Sequence, residues 1–230
     1  MTSRSSVTGH DSTNFGTFLA ARGNVTGITS YTNAAAQTGA ITAYSQYDIL
    51  GNVVKTIDAR GKATIISYSD NYGAPDNDAT TTSTPSQISG LSTFAFPTST
   101  TNPLSWTAYV QYDYFTGMPV NTQDVNGMKS KMLSVDDPLD RPTQTVVALT
   151  TDNETQTTIA YDDDSDRQVI VTSDLNTLGD NLLKSVSLYD GLGRTKETRT
   201  YEADGNYRAV QTEFDAFGRA YKTSNPLSFK

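Results

Sequence analysis

Tyr189-Asp190-Gly191-Leu192-Gly193-Arg194 and Phe214-Asp215-Ala216-Phe217-Gly218-Arg219 are the two stretches of sequence that decide the fold. Each places an aromatic residue before an aspartate, a glycine three residues after it, and an arginine directly after the glycine. An aspartate at the first position of a type I turn accepts a hydrogen bond from the backbone two residues on, and glycine at the fourth position adopts the positive φ that closes a bulged hairpin. The pattern therefore predicts a hairpin corner with a strand on either side.

The same pattern recurs along the chain, with or without the aromatic residue and once with the glycine one place later. Spacings of ten residues from Gly51 to Gly61 and of 25 from Gly193 to Gly218 predict a continuous meander of short antiparallel strands. We interpret the following residues as structural turn positions: Tyr47, Asp48 and Gly51; Asp58 and Gly61; Tyr112, Asp113 and Gly117; Asp124 and Gly127; Tyr189, Asp190, Gly193 and Arg194; Phe214, Asp215, Gly218 and Arg219.

In the segments between these corners, residues on both faces of the predicted strands are polar. From Arg194 to Arg199 neither set of alternate positions is apolar, and apolar residues make up only 36% of the chain. The 13 tyrosines and 8 phenylalanines nevertheless argue against disorder. The predicted fold class is all-β: tandem antiparallel hairpin repeats in a curved, single-layer sheet that is wetted on both faces, with about ten to fourteen strands. A sheet with that number of strands is expected to form one part of a shell and not a closed shell.

Residues 1–230 are predicted to form a single repeat domain, because corner motifs occur on both sides of the region that is poorest in them. That region, at about 74–103, is rich in Thr, Ser and Pro, and we expect a surface loop there, with strands resuming near Phe94. Leu178 to Leu188 comes closest to a helical pattern, but Gly179 and the alternation that follows it favour a loop that leads into a strand.

Charge and composition exclude several classes of partner. The net charge of −8 and the absence of a basic cluster argue against nucleic acid. No apolar stretch is long enough for a membrane helix, so membrane insertion is not expected, and the first residues lack the apolar segment of a signal peptide. With no cysteine, the chain has neither disulfides nor thiolate metal ligands.

Few residues suggest chemistry. His10 is the single histidine, which leaves a catalytic triad and a zinc site unsupported, and we interpret it as a solvated bystander. Asp162, Asp164 and Asp166 resemble the first ligands of a calcium loop, but Arg167 stands where the loop needs glycine. We therefore predict no catalytic, cofactor or metal residues, and leave open whether these three aspartates hold a cation.

The tandem motifs resemble the Tyr-Asp-x-x-Gly-Arg signature of the YD-repeat, or RHS-repeat, family, which includes bacterial Rhs proteins, the B and C subunits of Tc toxins, and teneurins. The resemblance extends loosely from about Arg22 to the C-terminus. It implies a segment of a β-shell: a non-catalytic scaffold or encapsulating wall within a larger secreted or cell-surface protein. The self-cleaving Asp-Pro-x-Gly-Leu type motif of the toxin relatives is absent, since Asp137-Pro138-Leu139-Asp140 does not match it.

The expected partners are the remainder of a larger parent chain or its cargo, and copies of the chain itself through edge strands. An alternative function is an extracellular glycan-binding or adhesion module that uses exposed aromatic residues, among them Trp106, the single tryptophan. A glycan array discriminates between the two, because binding that is lost on Trp106→Ala would support the alternative. A third reading, a hydrolase with paired acids, needs carboxylates that cluster in space.

Overall fold

The computed structural model describes residues 1–19, 21–164 and 167–229. Apart from one short 3₁₀ helix at Ser86–Ile88, the regular elements in these ranges are β-strands. They are β1 (Gly27–Asn33), β2 (Thr38–Tyr47), β3 (Val53–Ile57), β4 (Ala63–Ser67), β5 (Ser99–Thr101), β6 (Thr107–Tyr112), β7 (Pro119–Gln123), β8 (Lys129–Leu133), β9 (Gln144–Val147), β10 (Thr155–Asp162), β11 (Gln168–Ser173), β12 (Leu183–Tyr189), β13 (Thr195–Tyr201), β14 (Tyr207–Phe214), β15 (Ala220–Thr223) and β16 (Leu227–Phe229).

The chain divides into two compact units, Met1–Lys129 and Ser130–Lys230, which we describe separately. In the first unit, β1 to β7 pair antiparallel in chain order. In the second, β8 to β15 do the same, and β16 pairs with the first half of β14 while β15 pairs with its last residues. The predicted all-β fold of antiparallel hairpins is confirmed, whereas the single domain over 1–230 stays a prediction.

Sixteen strands are present in the described residues, more than the expected ten to fourteen. The excess comes from strands such as β5 and β16, which are three residues long and therefore too short to show an alternating pattern in the sequence.

Both faces of the strands are partly solvated. Every residue of β8 and β11 is half-buried, with no alternation between buried and exposed positions. Buried apolar side chains are scattered singly along the strands, for example Val54, Val146 and Val186. A sheet with so little one-sided burial depends on its hydrogen-bond ladder and on its corners more than a sandwich does.

The connection between β4 and β5 differs from the predicted surface loop at about 74–103. It runs from residue 68 to 98, so β5 lies inside the predicted range, and regular strand resumes at Ser99 instead of near Phe94. Ala79 within it is 1% exposed. The segment folds over the first unit because the side chains of Asn71 and Asn121 bond its backbone carbonyls, at Ala79 (2.8 Å) and Ala74 (2.8 Å) respectively.

Candidate functional site

The corner at Asp190 shows how the motif folds. Asp190 Oδ1 accepts hydrogen bonds from the backbone N–H groups of Leu192 (2.9 Å) and Arg194 (3.0 Å). The Gly193 N–H donates to the Asp190 carbonyl at 3.1 Å, and the Asp190 N–H donates to the Arg194 carbonyl at 2.9 Å. Gly193 has a φ of 76°, a left-handed conformation that side-chain-bearing residues adopt at a cost. The Asp190 carboxylate and the backbone groups of Asp190, Leu192, Gly193 and Arg194 thus hold the chain in its reversed path.

The same arrangement recurs in both units. A side-chain oxygen of the first residue accepts from the N–H groups two and four residues on, and the residue between them, three after the first, is left-handed. These corners begin at Asp48, Asp58, Asn102, Asp124, Asp137, Asp190 and Asp215. At Asn102 and Asp137 the left-handed residue is Ser105 (φ 65°) or Asp140 (φ 55°) instead of glycine.

Two corners depart from this arrangement. At Asp113 the carboxylate accepts from Phe115 and Thr116, and the Gly117 N–H donates to the Asp113 carbonyl at 2.9 Å, which makes this corner one residue longer. At Glu202 the backbone bonds are kept, with the Gly205 N–H donating to the Glu202 carbonyl at 3.0 Å. Sequence reasoning missed the Glu202 corner, although Gly205 three residues later was a usable signal.

Spacing alone does not make a corner. Asp70 and Gly73 have the Asp-x-x-Gly spacing, but they lie in the connection between β4 and β5. The Asp70 carboxylate instead accepts bonds from the Thr93 and Phe94 N–H groups at 2.8 and 2.9 Å. A flanking strand pattern is therefore needed beside the Asp and Gly.

Within each unit the corners are of two kinds, those with a shift in the pairing register and those without one. At Tyr189 the pairing register shifts, so that Lys196 on the next strand has no opposite residue. The same shift occurs at Tyr47, Tyr112 and Phe214. The corners at the other end of the strands, after β3, β5 and β13, show no shift. Because strands in chain order alternate in direction, the bulged corners of each unit lie at one end of its strands, which we call the bulged end, and bulges increase the local twist. The pairings of β8 with β9 and of β10 with β11 show no shift, although the turns between these strands lie at this end.

The tyrosines at the bulged ends reach the preceding strand. The hydroxyl of Tyr47 donates to the Val25 carbonyl at 2.8 Å, and that of Tyr112 donates to the Pro97 carbonyl at 3.1 Å. In the second unit Tyr161 donates to the Pro142 carbonyl at 2.9 Å. In each case the acceptor lies just before the strand that pairs with the tyrosine's own strand. These residues tie one hairpin to the one before it.

Arginines extend the connection to the next turn at the same end of the strands. Arg194 Nε donates to Asp190 Oδ2 at 2.7 Å, and its guanidinium lies 4.4 Å from the ring centre of Phe214. Arg141 repeats this arrangement: it bonds Asp137 at 2.7 Å and lies 3.9 Å from the ring centre of Tyr161. A guanidinium over an aromatic face is attracted by the ring. We call this chain of aspartate, arginine and next aromatic residue the arginine ladder of the second unit.

The ladder makes the corner carboxylates more acidic. The hydrogen bond from the Arg194 side chain, followed by that from its backbone, lowers the pKa of Asp190 to about 2, and the Arg141 side chain lowers the pKa of Asp137 to about 2. A carboxylate with a pKa this low is ionised throughout the neutral range, where it can accept hydrogen bonds but is a poor general base.

This predicts a pH dependence of stability. Because the folded-state pKa lies below the unfolded value of about 3.9, ionised Asp190 stabilises the fold above about pH 4, and that stabilisation is lost as pH falls toward 2. We expect Asp190→Asn to lose less stability than the parent chain between pH 4 and pH 2, in urea titrations followed by circular dichroism. Asp152→Asn, at an exposed loop position, is the control. Equal losses in Asp190→Asn and in the parent would contradict the assignment.

The other candidate residues are His10, the aspartates after Tyr161, and Trp106. His10 is in an exposed segment, where Nδ1 lies 3.1 Å from the Ser12 hydroxyl. Asp162 ends β10 and its carboxylate accepts from the Asp164 N–H at 3.2 Å, while Asp166 lies outside the described residues. Trp106 closes the corner at Asn102 and is 55% exposed.

Two features are absent from residues 1–19, 21–164 and 167–229. Within them, no three His, Cys, Asp or Glu side chains come together in a group that could hold a metal ion. The described residues also contain no helix that is long and apolar enough to cross a membrane.

Comparison with protein-family models and with curated proteins finds no match. Solved structures that align with this chain include the Tc holotoxin pore of Photorhabdus luminescens with a TccC3 variant, at 12% identity and a TM-score of 0.44 over 85% of this chain. Others are the complexes TcdB2-TccC3-Cdc42 (11%, 0.43, 87%) and TcdB2-TccC3-TEV (12%, 0.45, 86%). This chain spans 11% of the length of each of those chains. Membership of the YD-repeat family stays a prediction.

Proposed function

We propose that the chain is a structural wall segment of a larger Rhs-like shell or surface protein, secreted or exposed at the cell surface. The observation that carries the proposal is the register of the bulged corners. Tyr189 and Phe214 each pair with the residue six positions later, and the residue before each aromatic pairs nine positions later. Tyr47 and Gln46 repeat these offsets in the first unit. Such repetition suits a wall that is extended unit by unit.

The same residues support a non-catalytic role. The carboxylates of Asp190 and Asp215 are occupied by backbone N–H groups and by the arginine four residues on, so neither offers a free oxygen to a substrate. The lowered pKa of both carboxyls works against proton transfer near neutral pH. We therefore expect no turnover of a substrate by this chain.

The proposed partners follow from the exposed edge strand β1. β1 pairs with β2 on one side, and its residues are exposed throughout. The remainder of a parent chain, or a second copy, could continue the sheet there by main-chain hydrogen bonds. Glycan binding through Trp106 stays an alternative, tested by the array and the Trp106→Ala variant described above.

Coupling between successive corners tests the wall proposal energetically. In a double-mutant cycle, Arg194→Ala and Phe214→Ala should show an interaction of about 1 kcal/mol, because the guanidinium contacts the aromatic face of the next corner. Urea unfolding of the four chains measures it. Arg208→Ala with Phe214→Ala is the matched control, since Arg208 bonds Glu202 instead. If the unfolding free energies of the Arg194 and Phe214 variants were as additive as those of the control pair, the arginine ladder would not join the corners.

A further inference from the structure

The corner at Asp48 lacks the arginine that the ladder corners carry. Four residues after Asp190, Asp215 and Asp137 the chain has arginine, but four residues after Asp48 it has Asn52. Asp48 is nevertheless fully buried, at 0% exposure, whereas the Asp190 side chain is 22% exposed and that of Asp215 is 25% exposed. A buried carboxylate without a cation is strongly disfavoured. This corner therefore needs a cation from elsewhere.

Arg4 supplies it from outside the hairpin. Its Nε donates to Asp48 Oδ2 at 3.1 Å, as Arg194 Nε donates to Asp190 Oδ2 at 2.7 Å. Its guanidinium lies 4.6 Å from the ring centre of Phe94, compared with 4.4 Å between Arg194 and Phe214. Arg4 thus reproduces both contacts of a corner arginine, although it is 44 residues away in the chain.

The backbone around Arg4 is held at the same corner. The Thr2 N–H donates to the Tyr47 carbonyl at 2.9 Å, and the Ile49 N–H donates to the Thr2 carbonyl at 3.0 Å, which forms a parallel bridge to Asp48. Ile49 is 3% exposed. The corner therefore binds an extended peptide by two main-chain bonds, and selects it by an arginine two residues after the bridging residue.

We propose that the Asp48 corner is a receptor for an arginine-bearing extended peptide, that residues 1–4 fill it in this chain, and that the same peptide binds it in trans when residues 1–4 are displaced. The recognition is chemical: a buried carboxylate for the guanidinium, the face of Phe94 beneath it, and the Tyr47 carbonyl and Ile49 N–H for the peptide backbone. In the corners at Asp190 and Asp215 the carboxylate already bonds the corner's own arginine. The proposal does not depend on the wall function.

The first test places a competing arginine in the corner. Asn52→Arg puts a guanidinium where Arg194 stands in its own corner, so it should release Arg4 and the segment that carries it. The Ile49 amide reports this release, because its acceptor is the Thr2 carbonyl. We expect its hydrogen exchange to accelerate by about tenfold or more. Lys62→Arg is the matched control, since it installs the same residue at the Asp58 corner. Unchanged protection of Ile49 in Asn52→Arg would overturn the proposal.

The second test supplies the peptide in trans. Thr2→Pro with Arg4→Ala removes one main-chain donor and the guanidinium from the full chain. A labelled peptide of residues 1–8 should then bind this chain in fluorescence anisotropy, and should bind about tenfold more weakly when its arginine is replaced by alanine. Adding Asp48→Asn to the receptor should weaken binding to the same extent. Asn102 already closes a corner of this kind, so this change keeps the turn.

The outcomes separate cleanly. The receptor proposal is supported if the peptide binds the double variant but not the parent chain, and if this binding depends on both the arginine of the peptide and Asp48. Equal binding of the arginine and alanine peptides, or no binding to a variant whose Trp106 fluorescence shows a folded first unit, overturns it. Should the double variant unfold, the exchange experiment on Asn52→Arg decides alone.

Discussion

Asp48→Ala is expected to lower the free energy of unfolding by about 4 kcal/mol, because it leaves the Arg4 guanidinium without its buried partner. Asp48 is 0% exposed and the Arg4 side chain is 16% exposed, so water replaces little of the lost interaction. Urea titration followed by Trp106 fluorescence measures the change, since this single tryptophan lies in the first unit.

Asp58→Ala is the matched control, with an expected cost of about 1 kcal/mol. The Asp58 carboxylate accepts the same two backbone bonds, from Arg60 and Lys62, but the residue is exposed. The two variants therefore separate the turn itself from the buried ion pair. Similar costs at the two corners would show that Arg4 adds nothing to the stability of the first unit.

Asn121→Leu is expected to cost about 3 kcal/mol, because it removes the centre of a buried amide network. Asn121 is 1% exposed, and its side-chain amide lies 2.7 Å from that of Gln111 and 2.8 Å from the Ala74 carbonyl. It also accepts from the Asn77 N–H at 3.1 Å. Leucine has a similar volume but bonds none of these groups. We expect the connection between β4 and β5 to loosen, with faster hydrogen exchange at Asn77.

The control for this change is Asn126→Leu, which is expected to alter stability by less than about 0.5 kcal/mol. Asn126 is exposed and lies two residues after the corner residue Asp124. Leu50 and Leu192 already occupy this position at the Asp48 and Asp190 corners. If Asn121→Leu were as mild as the control, the buried amides would not be holding the connection.

The corners could be predicted from the sequence because their chemistry is local. Asp190 bonds residues two and four positions away, and Gly193 takes a φ that few other residues accept, so a short motif contains most of the information. Polar-with-polar alternation likewise predicted strands with both faces partly solvated. The Asn102 corner is harder to recognise because Ser105 stands in place of glycine.

Contacts between residues far apart in the chain could not be predicted in this way. Arg4 and Asp48 are 44 residues apart, and Asn71 and Gln111 are 40 apart, with no periodicity to relate them. The motif predicts a bulged hairpin at every corner, yet only some corners show a register shift, because the shift depends on how two strands pair and not on the composition of either. Such contacts and shifts can be identified only once the strand topology is known.

The central claim is that the chain is built from interchangeable two-strand repeats, each about 25 residues long. Deleting one repeat tests this claim most directly. Removing residues 190–214 joins Tyr189 to Asp215, so that β12 takes the place of β14 with every pairing offset kept. Removing residues 190–213 instead leaves Phe214 between them, which keeps the corner but shifts the strand by one residue and turns its side chains to the opposite face.

The measurement is urea unfolding of both deletions, followed by circular dichroism at a strand wavelength. We predict that the chain without residues 190–214 still unfolds in one cooperative β-sheet transition. Its midpoint should lie at a lower urea concentration than that of the parent chain, because one two-strand repeat and its contacts with the neighbouring repeats are lost. The deletion of 190–213 should have no such transition for the strands after β11. Equal behaviour of the two deletions, whether both folded or both unfolded, would contradict the account.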